Sequence, residues 1–152
     1  FARGILPAQL VAFASRSSLA SLPSMLTAAR GPLGVSEPVS AFVLPLAAAT
    51  FKLQGAVSLL LGVTFVATLY GVPLGSAAIA LAAGYGVLLA LSTPGITSAG
   101  LLTQAPLFEA LGLPVEGLAL LIAIDTIPDI FKTVANVTAD LLAAVLLDRS
   151  KA

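Results

Sequence analysis

Five polar side chains, Asp125, Asp129, Lys132, Asn136 and Asp140, crowd into the stretch IDTIPDIFKTVANVTAD (residues 124–140), whose flanks are almost entirely Leu, Ile, Ala and Val. On a helix advancing ~100° per residue, all five fall within an arc of about 80°, stacked along about 22 Å of axis. Carboxylates, an ammonium and an amide in one row can bind a small charged solute or hold a cation. On a soluble helix such a row is ordinarily the water-facing side. Here the flanks LALLIAI and LLAAVLL are apolar, and each charge placed in hydrocarbon costs at least ~2.5–3.5 kcal/mol. The stripe is therefore read as facing a protein interior or a wet cavity. Mutual neutralisation of Asp129 by Lys132 at i,i+3 is the plain structural alternative. Asn136-Val137-Thr138 matches a glycosylation sequon, but acceptors lie on exposed loops and this match is accidental.

The solvent follows from composition. Of 152 residues, 59% are hydrophobic and 9% charged, against roughly 25% charged in a soluble domain. Residues 53 to 108 carry no charged side chain, a run well beyond the ~20 residues that one membrane-spanning helix needs. An all-α, multi-pass integral membrane protein is expected, with the lipid bilayer as its surroundings. The absence of Cys and His excludes disulfides, thiolate chemistry and histidine relays. A net charge of zero offers no basic patch, so nucleic acid is not a partner. The chain begins at Phe1 and its single methionine is Met25, so a piece of a longer protein, with an N-terminal part missing, is expected.

The elements that must position the stripe share one pattern of half span, break, half span. ILPAQLVAFA (5–14) is too short to cross a bilayer and runs into the polar cluster SRSSLASLPS (15–24). Residues 5–30 read as a re-entrant helical hairpin, with one span kinked at Pro23 as the alternative. Residues 38–71 form an apolar helix interrupted at FKLQG (51–55), where Lys52, Gln54 and Gly55 suggest a broken helix. Non-helical backbone at membrane depth must be satisfied by protein or a polar cavity. Residues 76–113 repeat the hairpin pattern around STPGITSAG (92–100), and 115–148 read as one long helix.

RSSLASLP (16–23), STPGITSAG (92–100) and above all DTIPDIFKTVANVTAD (125–140) resemble the dicarboxylate/amino acid:cation symporters, the glutamate-transporter family. The last helix of that family reads roughly D-x-x-x-D-x-x-R-T-x-x-N-V-T-G-D. Asp125, Asp129, Thr133, Asn136, Val137, Thr138 and Asp140 stand in that register. The resemblance runs in order over essentially the whole chain: first hairpin, broken seventh helix, second hairpin, eighth helix. It implies that the chain is the C-terminal half of a transport domain. The whole would be a homotrimeric secondary transporter that moves its transport domain as an elevator, with a bacterial cell membrane as the expected location.

By the same resemblance, a small anionic solute, a dicarboxylate or an amino acid, would be held by Ser17, Ser18, Gly95, Ile96, Asp129, Lys132, Thr133 and Asn136. Asn136 and Asp140 would hold sodium, and the coupling ion would be sodium or a proton, with no other cofactor. Three departures stand out. Lys132 replaces the family's arginine. The break reads FKLQGAV where the family has N-M-D-G-T. The second tip has Pro94 and Thr97-Ser98 where the family has Pro-Gly. Lys52 puts an ammonium into the break, and if it reaches Asp140 or Asp125 it stands where sodium would. Two other function classes compete: an intramembrane aspartyl-type enzyme using Asp125 and Asp129 as paired carboxylates, and a non-transporting family relative.

Overall fold

A computed structural model describes residues 1–92 and 99–149, and its described elements are all helical. The first two are α1 (Ala2–Ser15) and α2 (Ser18–Arg30). They make a hairpin rather than one kinked span, and Pro23 lies inside α2. The turn forms because Arg16 adopts a left-handed conformation (φ 51°, ψ 32°) and donates its N–H to Ala12 O. Ser17 then caps α2 by accepting from the Ala20 N–H at 3.2 Å. Such caps satisfy donors that a helix start leaves without partners. The arms approach closely through Ala8, Ala12, Ala28 and Ala29, all buried.

The broken helix comprises α3 (Glu37–Thr50) and α4 (Gly55–Tyr70). Glu37 and Pro38 open α3, an acid and a proline in the first turn as the helix dipole and the missing proline N–H favour. It ends where Phe51 turns extended (φ −113°, ψ 118°). The Lys52 N–H then leaves the helix and bonds Ala90 O at 2.9 Å. At its other end α4 stops at Gly71, whose φ of 69° suits glycine. Residues 37–70 and 126–149 are the two described helical stretches long and apolar enough to cross a membrane.

Next comes α5 (Ser76–Ser92). It packs on α4 with almost no side chain between the backbones: a Cβ on Gly86 would lie 2.8 Å from Ala56 Cα, and one on Gly55 would lie 2.9 Å from Ala90 Cβ. The tip that follows, with Gly95 and Ile96, lies outside the described residues. The return arm is two short helices, α6 (Ala99–Leu102) and α7 (Ala105–Ala110). Pro106 stands in the first turn of α7, where its missing N–H is tolerated, while it could not have continued α6.

The final stretch is likewise not one uninterrupted helix over 115–148. It divides into α8 (Glu116–Ile124) and α9 (Thr126–Arg149), with Asp125 between them. Pro128 has no N–H to give Ile124 O, which accounts for an interruption at that point. The axis nevertheless carries through, since the Asp125 N–H bonds Leu121 O and the Asp129 N–H bonds Asp125 O.

Two apolar clusters hold these helices together. One joins α1, α2, α3 and α9 around Met25, Leu44, Val137 and Leu141, all at most 0% exposed. The other joins α4, α5, α7 and α8 around Leu59, Val63, Leu107 and Phe108. Each long helical run thus changes cluster at its interruption. Between the clusters lies the polar face of α9.

Candidate functional site

A cavity of about 360 Å³ opens where the first hairpin tip, the 51–54 break, α8 and α9 converge. Seven of the residues singled out from the sequence line it: Ser18, Lys52, Asp125, Asp129, Lys132, Thr133 and Asn136. Ser17 is not among the lining residues, and its hydroxyl oxygen serves the α2 cap. Asp140 lies beneath the wall, fully buried. Gly95 and Ile96 belong to the tip outside the described residues.

The stripe divides by partner. Lys132 forms an ion pair with Asp125, both side chains mostly buried. The i,i+3 neutralisation of Asp129 by Lys132 is therefore not the arrangement adopted; the lysine reaches back two turns along the same face. Asp129 is half-buried, and its Oδ2 is a buried atom with no hydrogen-bond partner. Thr133 returns its hydroxyl to Asp129 O at 2.8 Å. Asn136, 3% exposed, accepts the Leu53 N–H on its Oδ1 at 3.1 Å. Its amide thereby ties the break between α3 and α4 to α9. At Asp140 neither carboxyl oxygen has a hydrogen-bond partner.

Lys52 makes no ion pair with Asp125 or Asp140, contrary to the sequence expectation. Its Nζ donates instead to Ala48 O at 2.9 Å and Phe51 O at 3.1 Å. The reason is local: a helix that breaks leaves carbonyls without N–H partners, and a lysine one and four residues further along the chain is long enough to fold back over them.

Sequence reasoning passed over two polar residues that the cavity uses, Arg16 and Gln104. Arg16 lines it from the hairpin tip and acts electrostatically on Asp129. A charge between two apolar half spans was the available signal, of the same kind that singled out Lys52. Gln54 and Gln104 face the cavity from the break and the second hairpin, each with a buried Oε1 that lacks a partner. Gln104 gives its Nε2 to Gly100 O at 3.0 Å.

Broken helices and hairpins around a polar cavity, with charged side chains facing inward from an apolar helix, define the class of membrane proteins that handle solutes at mid-bilayer depth. Within that class, the chain belongs to the sodium:dicarboxylate symporter family, whose model matches residues 1–150. It is 35% identical over 147 residues to the human neutral amino acid transporter A, covering 97% of this chain and 28% of that protein. To the mouse neutral amino acid transporter B(0) it is 35% identical over 156 residues, 99% of this chain and 28% of the relative. To human excitatory amino acid transporter 2 it is 33% identical over 145 residues, 95% and 25%. The chain thus spans about a quarter of the length of these relatives. They are animal proteins and give the expected bacterial location no support. Membership in a symporter family leaves the aspartyl-enzyme reading without support, and the site agrees, since Asp125 pairs with Lys132.

Proposed function

We propose that this chain forms the C-terminal half of the transport domain of a secondary active transporter, and that its cavity takes a small amino acid. The observation that carries the solute class is Asp129, which lines the cavity together with Arg16 and has a carboxyl oxygen without a protein donor. An ammonium group supplies the missing donor. A carboxylate finds the Arg16 guanidinium, Ser18 and the start of α2, where the helix dipole favours an anion. A dicarboxylate without an amine would leave Asp129 unmatched and add a like charge beside it. The relatives named for neutral and excitatory amino acid transport support the same choice.

In this reading Lys132 holds Asp125 and contributes only part of its charge to the solute. Thr133 and Asn136 shape the wall. The coupling ion is sodium or a proton, and the assembly is a homotrimer formed through segments beyond this chain. The test is solute binding to the complete purified protein. Asp129→Asn should weaken binding of the preferred amino acid about 10–150-fold, the worth of a hydrogen bond to a charged group. A wild-type protein that binds succinate and no amino acid would overturn the assignment.

A further inference from the structure

Among the described residues, Gln104 is the polar side chain that the second hairpin brings to the cavity wall, beside Gly100 and Leu101. It is 6% exposed. Standing at the N-cap of α7 it could serve that helix, yet its side chain makes no capping hydrogen bond. Its Nε2 donates instead to Gly100 O at 3.0 Å, and Thr103 Oγ1 donates to the same oxygen at 3.0 Å. A carbonyl oxygen only accepts, so the amide must present its nitrogen there and cannot be turned over. The Oε1 is thereby fixed as an acceptor, and that atom is buried with no donor. An amide oxygen in this state is costly until a donor reaches it.

The charges on the same wall narrow what that donor can be. Lys132 is held by Asp125, and Lys52 by Ala48 O and Phe51 O. In the reading proposed above, Arg16 meets the solute's α-carboxylate and Asp129 its ammonium. A carboxylate on the solute's side chain would then add a negative charge with no cation left to receive it, and would bring no hydrogen to Gln104 Oε1. A cationic side chain would join Arg16, Lys52 and Lys132 on one wall and be repelled. A hydroxyl or a carboxamide supplies the donor without a charge. We infer that Gln104 is a specificity-determining residue: it accepts a hydrogen bond from the solute's side chain and selects an amino acid with a neutral donor, a hydroxyl or a carboxamide, over acidic and purely apolar ones. The inference rests on the amino acid reading and adds to it a residue that lies outside the polar stripe of α9.

The experiment is equilibrium binding to the complete purified protein, with solutes matched except for the side-chain donor. Serine is compared with 2-aminobutyrate, threonine with valine, and glutamine with glutamate and norleucine. In wild type the donor-bearing member of the best-bound set should bind about 5–150-fold more tightly than its partners. Gln104→Met keeps the length of the side chain and removes the acceptor. It should bring that ratio close to one, and leave the affinity for the members without a donor nearly unchanged. If Gln104→Met does not fold, Gln104→Leu takes its place. A Gln104 that served only the fold would act through its bond to Gly100 O, and its loss would weaken all members of a set alike. Such a parallel loss would overturn the inference, as would wild-type affinities that ignore the donor, or a ratio that survives the substitution. Amino acids bound without discrimination fail this inference alone, whereas succinate bound and no amino acid fails the reading beneath it as well.

Discussion

Replacing Asn136 with alanine tests how the polar face of α9 shapes the cavity. Its Oδ1 accepts the Leu53 N–H at 3.1 Å, the described side-chain hydrogen bond between α9 and the break. Asn136 is 3% exposed, so water cannot readily take over as acceptor. Alanine removes a hydrogen bond with a net worth of about 1 kcal/mol and leaves a backbone donor without a partner, for a total of about 1–3 kcal/mol. The break also supplies Lys52, Gln54 and Gly55 to the cavity wall, so a loosened break should weaken solute binding as well. If the whole loss appears in binding, the dissociation constant rises about 5–150-fold. The assay pairs the thermal unfolding midpoint with equilibrium solute binding for Asn136→Ala, with Gln9→Ala as the control. Gln9 donates to Thr138 Oγ1 at 2.8 Å on another side of α9, where neither residue lines the cavity. Its loss should cost at most about 1 kcal/mol and leave binding unchanged. If both variants weaken binding equally, or Asn136→Ala changes neither readout, the tether does not organise the site.

Arg16→Gly should move stability and affinity in opposite directions. It relieves a left-handed residue of about 1 kcal/mol while removing a cation from the cavity, so the midpoint should rise as binding falls. Gly117→Ala should destabilise by about 1–3 kcal/mol and weaken solute binding as well, because its Cβ would lie 2.5 Å from Val66 Cγ1 and force α8 off α4, two helices that both line the cavity. Unfolding midpoints and solute binding, measured on the same samples, check both.

The stripe was legible because helical periodicity alone puts Asp125 to Asp140 on one face, and the apolar flanks decide what that face looks at. Which charges pair was not legible. Lys132 could reach Asp129 or Asp125 from the same stripe, and the structure pairs it with Asp125. The break at 51–54 was announced by polar residues in an apolar run, yet the partner of Lys52 was misjudged. A carboxylate many residues away is an obvious attraction, whereas a freed carbonyl next door exists only because another helix takes the Lys52 N–H. Arg16 was passed over because a serine-rich turn explains itself by capping, which hides what its neighbour does. The second hairpin's return arm reads as one apolar run, and its division depends on where Pro106 falls within a turn.

The two apolar clusters have a topological corollary. Among the described residues, the first cluster takes α1 to α3 and α9, and the second takes its members from α4 to α8. The polypeptide therefore passes from one body to the other at two points, residues 51–54 and Asp125, and both border the cavity. Two covalent threads define an axis. Rotation about such an axis would widen or narrow the cavity through a handful of backbone torsions, with neither cluster repacked. A solute that touches both bodies would then act as a third thread, and locking that swing takes far less than remodelling a packed interior.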